Sequence, residues 1–113
     1  MRLEGLVQAV PLTVFTKGGA MTQEVVLGYA SDLLSQVVAE AAAGSVWITM
    51  QRYPGIVAVA SLRQLAAVIV AGGVQPETET VNKARQEGIV LCGTALSAFE
   101  TVGRLHRLGV VGG

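Results

Sequence analysis

The sequence predicts an α/β protein with three layers, α/β/α, built on a mostly parallel sheet of about five strands. Short β-branched runs alternate with segments of helical periodicity along the whole chain. The connections between them are short, which favours strand–helix–strand units over hairpins. The run "AAVIV" (66–70) is continuously apolar, as a central parallel strand covered on both faces should be. The 113 residues read as a single domain, 1–113. A chain of that length buries roughly two-thirds of its unfolded surface without disulfides or metal.

The elements follow in order. "LEGLVQAV" (3–10) is a short helix stopped by Pro11, and "LTVFT" (12–16) is a strand. The loop "KGGAMT" leads to a second strand, "EVVLGYA" (24–30). In "SDLLSQVVAEAAAG" (31–44), Leu33, Leu34, Val37, Val38, Ala41 and Ala42 share one helical face. Ser31 is placed to cap that helix, Asp32 to meet its positive end and Gly44 to close it. "SVWITM" (45–50) is a strand. "PGIVAVASLRQL" (54–65) alternates enough to be a strand, but its length and Pro54 near its start favour a helix, apolar almost all round. "PETETVNKARQEG" (76–88) is a surface helix with Pro76 in its first turn, a Glu79–Lys83 pair and Gly88 at its end. "IVLC" (89–92) is the last strand and "TALSAFETVGRLHRLG" (94–109) the last helix, before the tail "GVVGG".

Composition narrows the function. Hydrophobic residues are 51% and aromatic residues 4%, so the core is aliphatic. Charged residues are 14%, against about 25% in an average globular protein. So few charges clothe the surface thinly, which points to an exterior partly covered by a second copy or a partner, and a homodimer is expected. The helix 54–65 and the adjoining strand edges are the expected contact. Eight basic and eight acidic residues cancel, with only Arg104 and Arg107 loosely clustered, so nucleic-acid binding is not expected. Arg63 and Gln64 interrupt the longest apolar stretch (55–74), which argues against a membrane span. No basic segment followed by an apolar run opens the chain, and Cys92 is the sole cysteine, so a cytoplasmic, disulfide-free protein is expected.

Parallel sheets bind ligands beyond the carboxyl ends of their strands. Residues assigned to those ends are Lys17, Gly18 and Gly19 after the first strand, Gly28, Tyr29, Ser31 and Asp32 around the second, Gln51 and Arg52 after the third, Gly72 and Gly73 after the fourth, and Thr94 after the fifth. Helix N-termini there favour an anion, with Lys17 or Arg52 as counter-charge. Glycines also form tight turns in any α/β domain, and the junction at 28–32 is explained by structure alone. "KGGAMT" is not a phosphate loop, because its lysine precedes the glycines. One histidine and one cysteine do not make a zinc site, so no metal or cofactor is expected. Helical projection puts His106 with Ala98, Phe99 and Val102 on an apolar side, as a core or interface residue. Cys92 is read as a small buried hydrophobe. No two carboxylates pair for proton transfer, and an enzyme is not expected.

The segments "EVVLGYASDLLS", "WITMQRYPGIVAVASLRQLAAVIVAGG" and "ALSAFE" resemble the DRTGG domain family, over about residues 3 to 109. Gly28-Tyr29, Ser31 to Ser35, and Trp47-Ile48-Thr49 with Gln51 carry the resemblance best. Members of that family occur as small free-standing proteins, beside CBS domains in regulated pyrophosphatases and within some phosphotransacetylases, and are related to the N-terminal domain of HPr kinase/phosphorylase. The resemblance implies a regulatory, ligand-sensing or dimer-forming module on a three-layer fold. The motif that names the family is replaced here by Thr22, Gln23, Val26, Leu27 and Gly28, of which only Gly28 survives. Each lost ionic partner removes charged hydrogen bonds worth about 1.5–3 kcal/mol, which favours packing over charged-ligand binding at that segment. The expected function is therefore a non-catalytic regulatory module that self-associates or docks on a partner. The alternative is a sensor binding a nucleotide or phosphorylated metabolite at the strand C-terminal loops.

Overall fold

The computed structural model describes residues 1–18 and 21–113. Its elements are α1 (Leu3–Ala9), β1 (Thr13–Thr16), β2 (Leu27–Ala30), α2 (Leu34–Glu40), β3 (Val46–Thr49), α3 (Gly55–Arg63), β4 (Ala67–Val70), α4 (Thr78–Glu87), β5 (Leu91–Gly93), α5 (Ala98–Arg107) and β6 (Val111–Gly112). The described strands form one six-stranded sheet in the order β1-β5-β4-β3-β2-β6. All neighbours are parallel except β1, which runs antiparallel to β5 with Thr13 opposite Gly93.

The path explains the layers. From β2 to β5 the chain steps one strand at a time in a single direction, and right-handed crossovers then put every connecting helix on the same face. On that face Val37 of α2, Ile56, Val57 and Ala60 of α3, and Ala84 of α4 pack on Trp47, Val68, Val70 and Leu91. After β5 the chain travels back across the whole sheet to β6, so α5 lies on the opposite face. It shares that face with α1. There Leu3, Leu6, Val10 and Leu105 cover Val46, Ile48, Ala67, Ile69 and Cys92. Alternate residues of β3 and β4 thus serve the two cores, as the pleat requires. All of Val46–Thr49 and Ala67–Val70 are buried.

Two polar contacts hold the edges of this frame. Thr16 Oγ1 donates to the Ile89 carbonyl at 2.6 Å and accepts from Leu91 N at 3.1 Å, bridging the register shift between Val14 and Thr16. Arg63 donates from Nε and Nη2 to the Ala41 carbonyl at 3.2 and 2.9 Å, so the end of α3 closes the end of α2.

The three-layer α/β class holds, and several details differ from expectation. The sixth strand lies in the glycine tail, where two residues pair parallel to β2. β2 begins only at Leu27, because Glu24 bridges Arg2 instead. α2 starts at Leu34, so Ser31 does not cap it: the cap position is Leu33, with no side-chain bond. Gly44, with φ +82°, belongs to the following turn. Pro76 lies before the first turn of α4, which Gly88 does end, at φ 70°. Among the described residues, Glu79 and Lys83 do not form an ion pair. α3 buries Ile56, Val57, Val59 and Ala60 in its own subunit and leaves mainly Ala58, Ser61 and Leu62 outside. Its aliphatic content is thus largely used by the monomer core, which weakens it as an intersubunit contact.

Candidate functional site

The carboxyl ends of β2, β3, β4 and β5 gather most of the residues expected there, and their hydrogen bonds are mutual. Ser31 Oγ accepts from Leu33 N at 3.1 Å and donates to Gln36 Oε1 at 3.0 Å. Asp32 points across to the next strand rather than along α2. Its Oδ1 accepts from Thr49 Oγ1 at 2.9 Å and from Met50 N at 2.7 Å. Gln51 Nε2 returns to the Asp32 carbonyl at 3.0 Å, and Gln51 N donates to Thr49 Oγ1 at 3.1 Å. A carboxylate accepting a backbone amide and a hydroxyl is a strong local brace.

The glycine turns are similarly self-satisfied. Gly72 and Gly73 adopt φ +76° and +71°, the left-handed region that glycine enters freely. Gly72 N donates to the Leu96 carbonyl at 2.7 Å and Gly73 N to the Thr94 carbonyl at 2.9 Å. Thr94 N donates to Val70 O at 3.0 Å, and Thr94 Oγ1 donates to Pro11 O at 2.9 Å. The amides that would cradle an anion already have protein partners. Arg52 is exposed, donates from Nε to Gln75 O at 2.9 Å, and stands 5.8 Å from the Tyr53 ring centroid. It is a cation at this end of the sheet.

Lys17 and Gly18 are not part of it. Because β1 is antiparallel, its carboxyl end lies at the opposite end of the sheet, where Gly18 approaches the backbone of Gly88 and the side chain of Val90. The sequence reveals a strand at 12–16 but not its direction, and the expected counter-charge is lost with it. Gly19 lies outside the described residues. Gly28 serves a close approach rather than a positive φ: a Cβ there would meet Val110 Cγ1 at 3.1 Å. Tyr29 points to the other face, half-buried against the α2–α3 core. Loss of hydration and, secondly, the nearby Glu40 carboxylate hold its phenol above the ordinary value.

An apolar concavity lies elsewhere. Between α5 and the β2–β6 edge, Gly28, Ala30, Val102, Leu105, His106 and Val110 line an apolar crevice of about 170 Å³. It exists because β2 presents only glycine and alanine toward α5. Of its lining, Val102 and Val111 are exposed, and Phe99, one helical turn before Val102, is 86% exposed. His106 is at the crevice and exposed, so it is not a core histidine. The sequence groups His106 with Phe99 and Val102, as the structure does, but also places Ala98 with them and does not show the crevice, because α5 carries two stripes. Ala98, Leu105 and Leu108 turn inward, while Phe99, Val102 and His106 turn outward.

Cys92 is unsuited to nucleophilic catalysis as placed. Cys92 is fully buried in the sheet, and burial pushes its thiol up to about 12. The folded protein is accordingly expected to leave Cys92 unmodified by a disulfide reagent at pH 8, and to release one equivalent only after denaturation. Release at a comparable rate from the folded chain would contradict that placement.

These features define an α/β/α domain whose strand ends are closed by their own hydrogen bonds and whose α5 side carries an apolar crevice. No protein-family model matches the chain, and no curated protein matches it. Among solved structures it is similar to the CBS and DRTGG domains of the regulatory region of Clostridium perfringens pyrophosphatase, determined in complex with the activator diadenosine tetraphosphate. The TM-score is 0.73 at 18% identity, covering 92% of this chain and 45% of that one. The fold is DRTGG-like, in agreement with the resemblance carried by the sequence. The chain spans under half the length of that regulatory region. Among the described residues, no helix is long and apolar enough to cross a membrane.

Proposed function

We propose that this chain is a non-catalytic regulatory module of the cytoplasm that acts by self-association, as a homodimer. The observation that carries this reading is the exposure of Phe99 and Val102 on the outer side of α5, with Val102 and Val111 at the rim of the apolar crevice. A Phe that is 86% exposed beside open valines is costly to leave in water and favours burial against another surface. The low charge content of the sequence agrees with it. Sedimentation equilibrium at micromolar concentration should give a mass near twice 11.7 kDa. A single species at 11.7 kDa across that range defeats the proposal.

A second reading is favoured by the ligand of the solved neighbour. The strand-end loops would hold a nucleotide or phosphorylated metabolite through Arg52, with Gln51 beside it. Since the Gly72 and Gly73 amides are occupied, side chains rather than backbone would supply the donors. Thermal-shift measurements with ATP and diadenosine tetraphosphate test it. Stabilisation that disappears in Arg52→Ala supports this sensor, and no stabilisation by either nucleotide removes it.

A further inference from the structure

Resting on the self-association reading, we infer that the partner surface is a second copy of this chain, joined by an antiparallel α5–α5 contact in which each Phe99 enters the other subunit's crevice. Projection and hole lie on the same chain, at the two ends of one helix. Phe99 stands in the first turn of α5 almost entirely in solvent, and the crevice opens beside Val102, Leu105 and His106 in the last two turns. Its volume of about 170 Å³ suits one aromatic side chain: apolar cavities of about 150 Å³ accept benzene.

The spacing fits a two-fold axis. At 100° per residue, Phe99, Gly103 and His106 lie within one outward sector of the helix, with Val102 on the flank toward the crevice. Gly103 is the midpoint. At 1.5 Å per residue, Phe99 is about 6 Å from it in one direction and His106 about 4.5 Å in the other. Two helices crossing antiparallel at Gly103 therefore set each Phe99 beside the other's His106, at the mouth of the hole. A contact in which the same patch faces itself is the requirement of a closed dimer.

Two further features point the same way. Gly103 interrupts a helix at a penalty of roughly 1 kcal/mol relative to alanine, and a Cβ there would meet nothing within 4 Å. Nothing inside the subunit requires a glycine at that position, whereas close approach of a second helix does. Charge also runs along α5, with Glu100 in the first turn, 4.0 Å from Arg104 of its own helix, and Arg107 in the last. Antiparallel pairing brings each acidic end to the other's basic end.

The test is sedimentation equilibrium on the full chain with three variants. Phe99→Ala removes the projection, Ala30→Leu fills the hole and Gly103→Arg blocks close approach. Phe99, Ala30 and Gly103 all lie outside the core clusters, so circular dichroism and melting should confirm intact monomers. Phe99→Ala should weaken dimerisation by about thirtyfold or more, as a central aromatic anchor does, and Gly103→Arg should weaken it comparably. The decisive arm mixes Phe99→Ala with Ala30→Leu. One heterodimer then regains a single intact Phe-in-crevice contact, so the mixture should associate more tightly than either variant alone. A wild-type dimer whose affinity none of the variants changes, or a mixture no tighter than its components, overturns this interface while leaving self-association standing. A wild-type monomer overturns both.

Discussion

Trp47→Ala is expected to destabilise the domain by about 3–5 kcal/mol, the usual range for deleting a buried aromatic side chain. That approaches the whole folding free energy of a small domain, about 5–15 kcal/mol. Trp47 is fully buried on β3, the strand between β2 and β4, with Tyr29 and Val68 as its register neighbours. It belongs to the core that joins α2, α3 and α4 to the sheet, so its removal leaves a cavity shared by three helices. Its indole Nε1 also donates to the Ser31 carbonyl at 2.8 Å, tying the turn after β2 to the centre of the domain. Trp47→Phe separates the two contributions. Keeping most of the volume but losing that hydrogen bond should cost about 1–2 kcal/mol. Urea unfolding followed by circular dichroism reads both variants, and a loss below 1 kcal/mol for Trp47→Ala would contradict the placement.

Asp32→Ala is the second large effect, expected at about 1–2 kcal/mol despite the residue's exposure. The carboxylate accepts two hydrogen bonds from the β3 exit, and its removal leaves Thr49 Oγ1 and Met50 N to find water. Asp32→Asn keeps an oxygen acceptor and should recover about half of that loss. A double-mutant cycle with Thr49→Val should show coupling of about 0.5–1 kcal/mol, since the two side chains touch. Additive single effects would show that the bond contributes nothing. Faster amide exchange at Met50 and Gln51 should accompany the loss, because Asp32 fixes the segment that presents Arg52.

The legible part of this protein was what periodicity encodes. The alternating elements, the buried run at 66–70 and the aliphatic helix at 54–65 all follow from spacing and burial, and the three-layer class follows from them. Direction and partner choice were not legible. Nothing in "LTVFT" says that it pairs antiparallel with residues 91–93 from the far end of the chain, so Lys17 was assigned to the wrong end of the sheet. "VVGG" is too short and glycine-rich to register as a strand, and it pairs only because α5 delivers it beside β2. The junction at 31–32 reads as a helix start in one dimension. In three dimensions Asp32 serves the neighbouring strand, a contact across 17 residues that no local motif reveals. For α5 the period was correct and the facing incomplete: two stripes compete, and the larger exposed side chain lies on the outer one.

β6 holds to the sheet through very little. Val111 N donates to the Val26 carbonyl at 3.0 Å and Gly113 N to the Gly28 carbonyl at 3.3 Å, and Val111 and Gly112 are exposed. Such a margin can peel away at small free-energy penalty while the interior stays intact. One wall of the crevice accordingly rests on a few amides, so local opening at this edge would widen it while both cores stay in place.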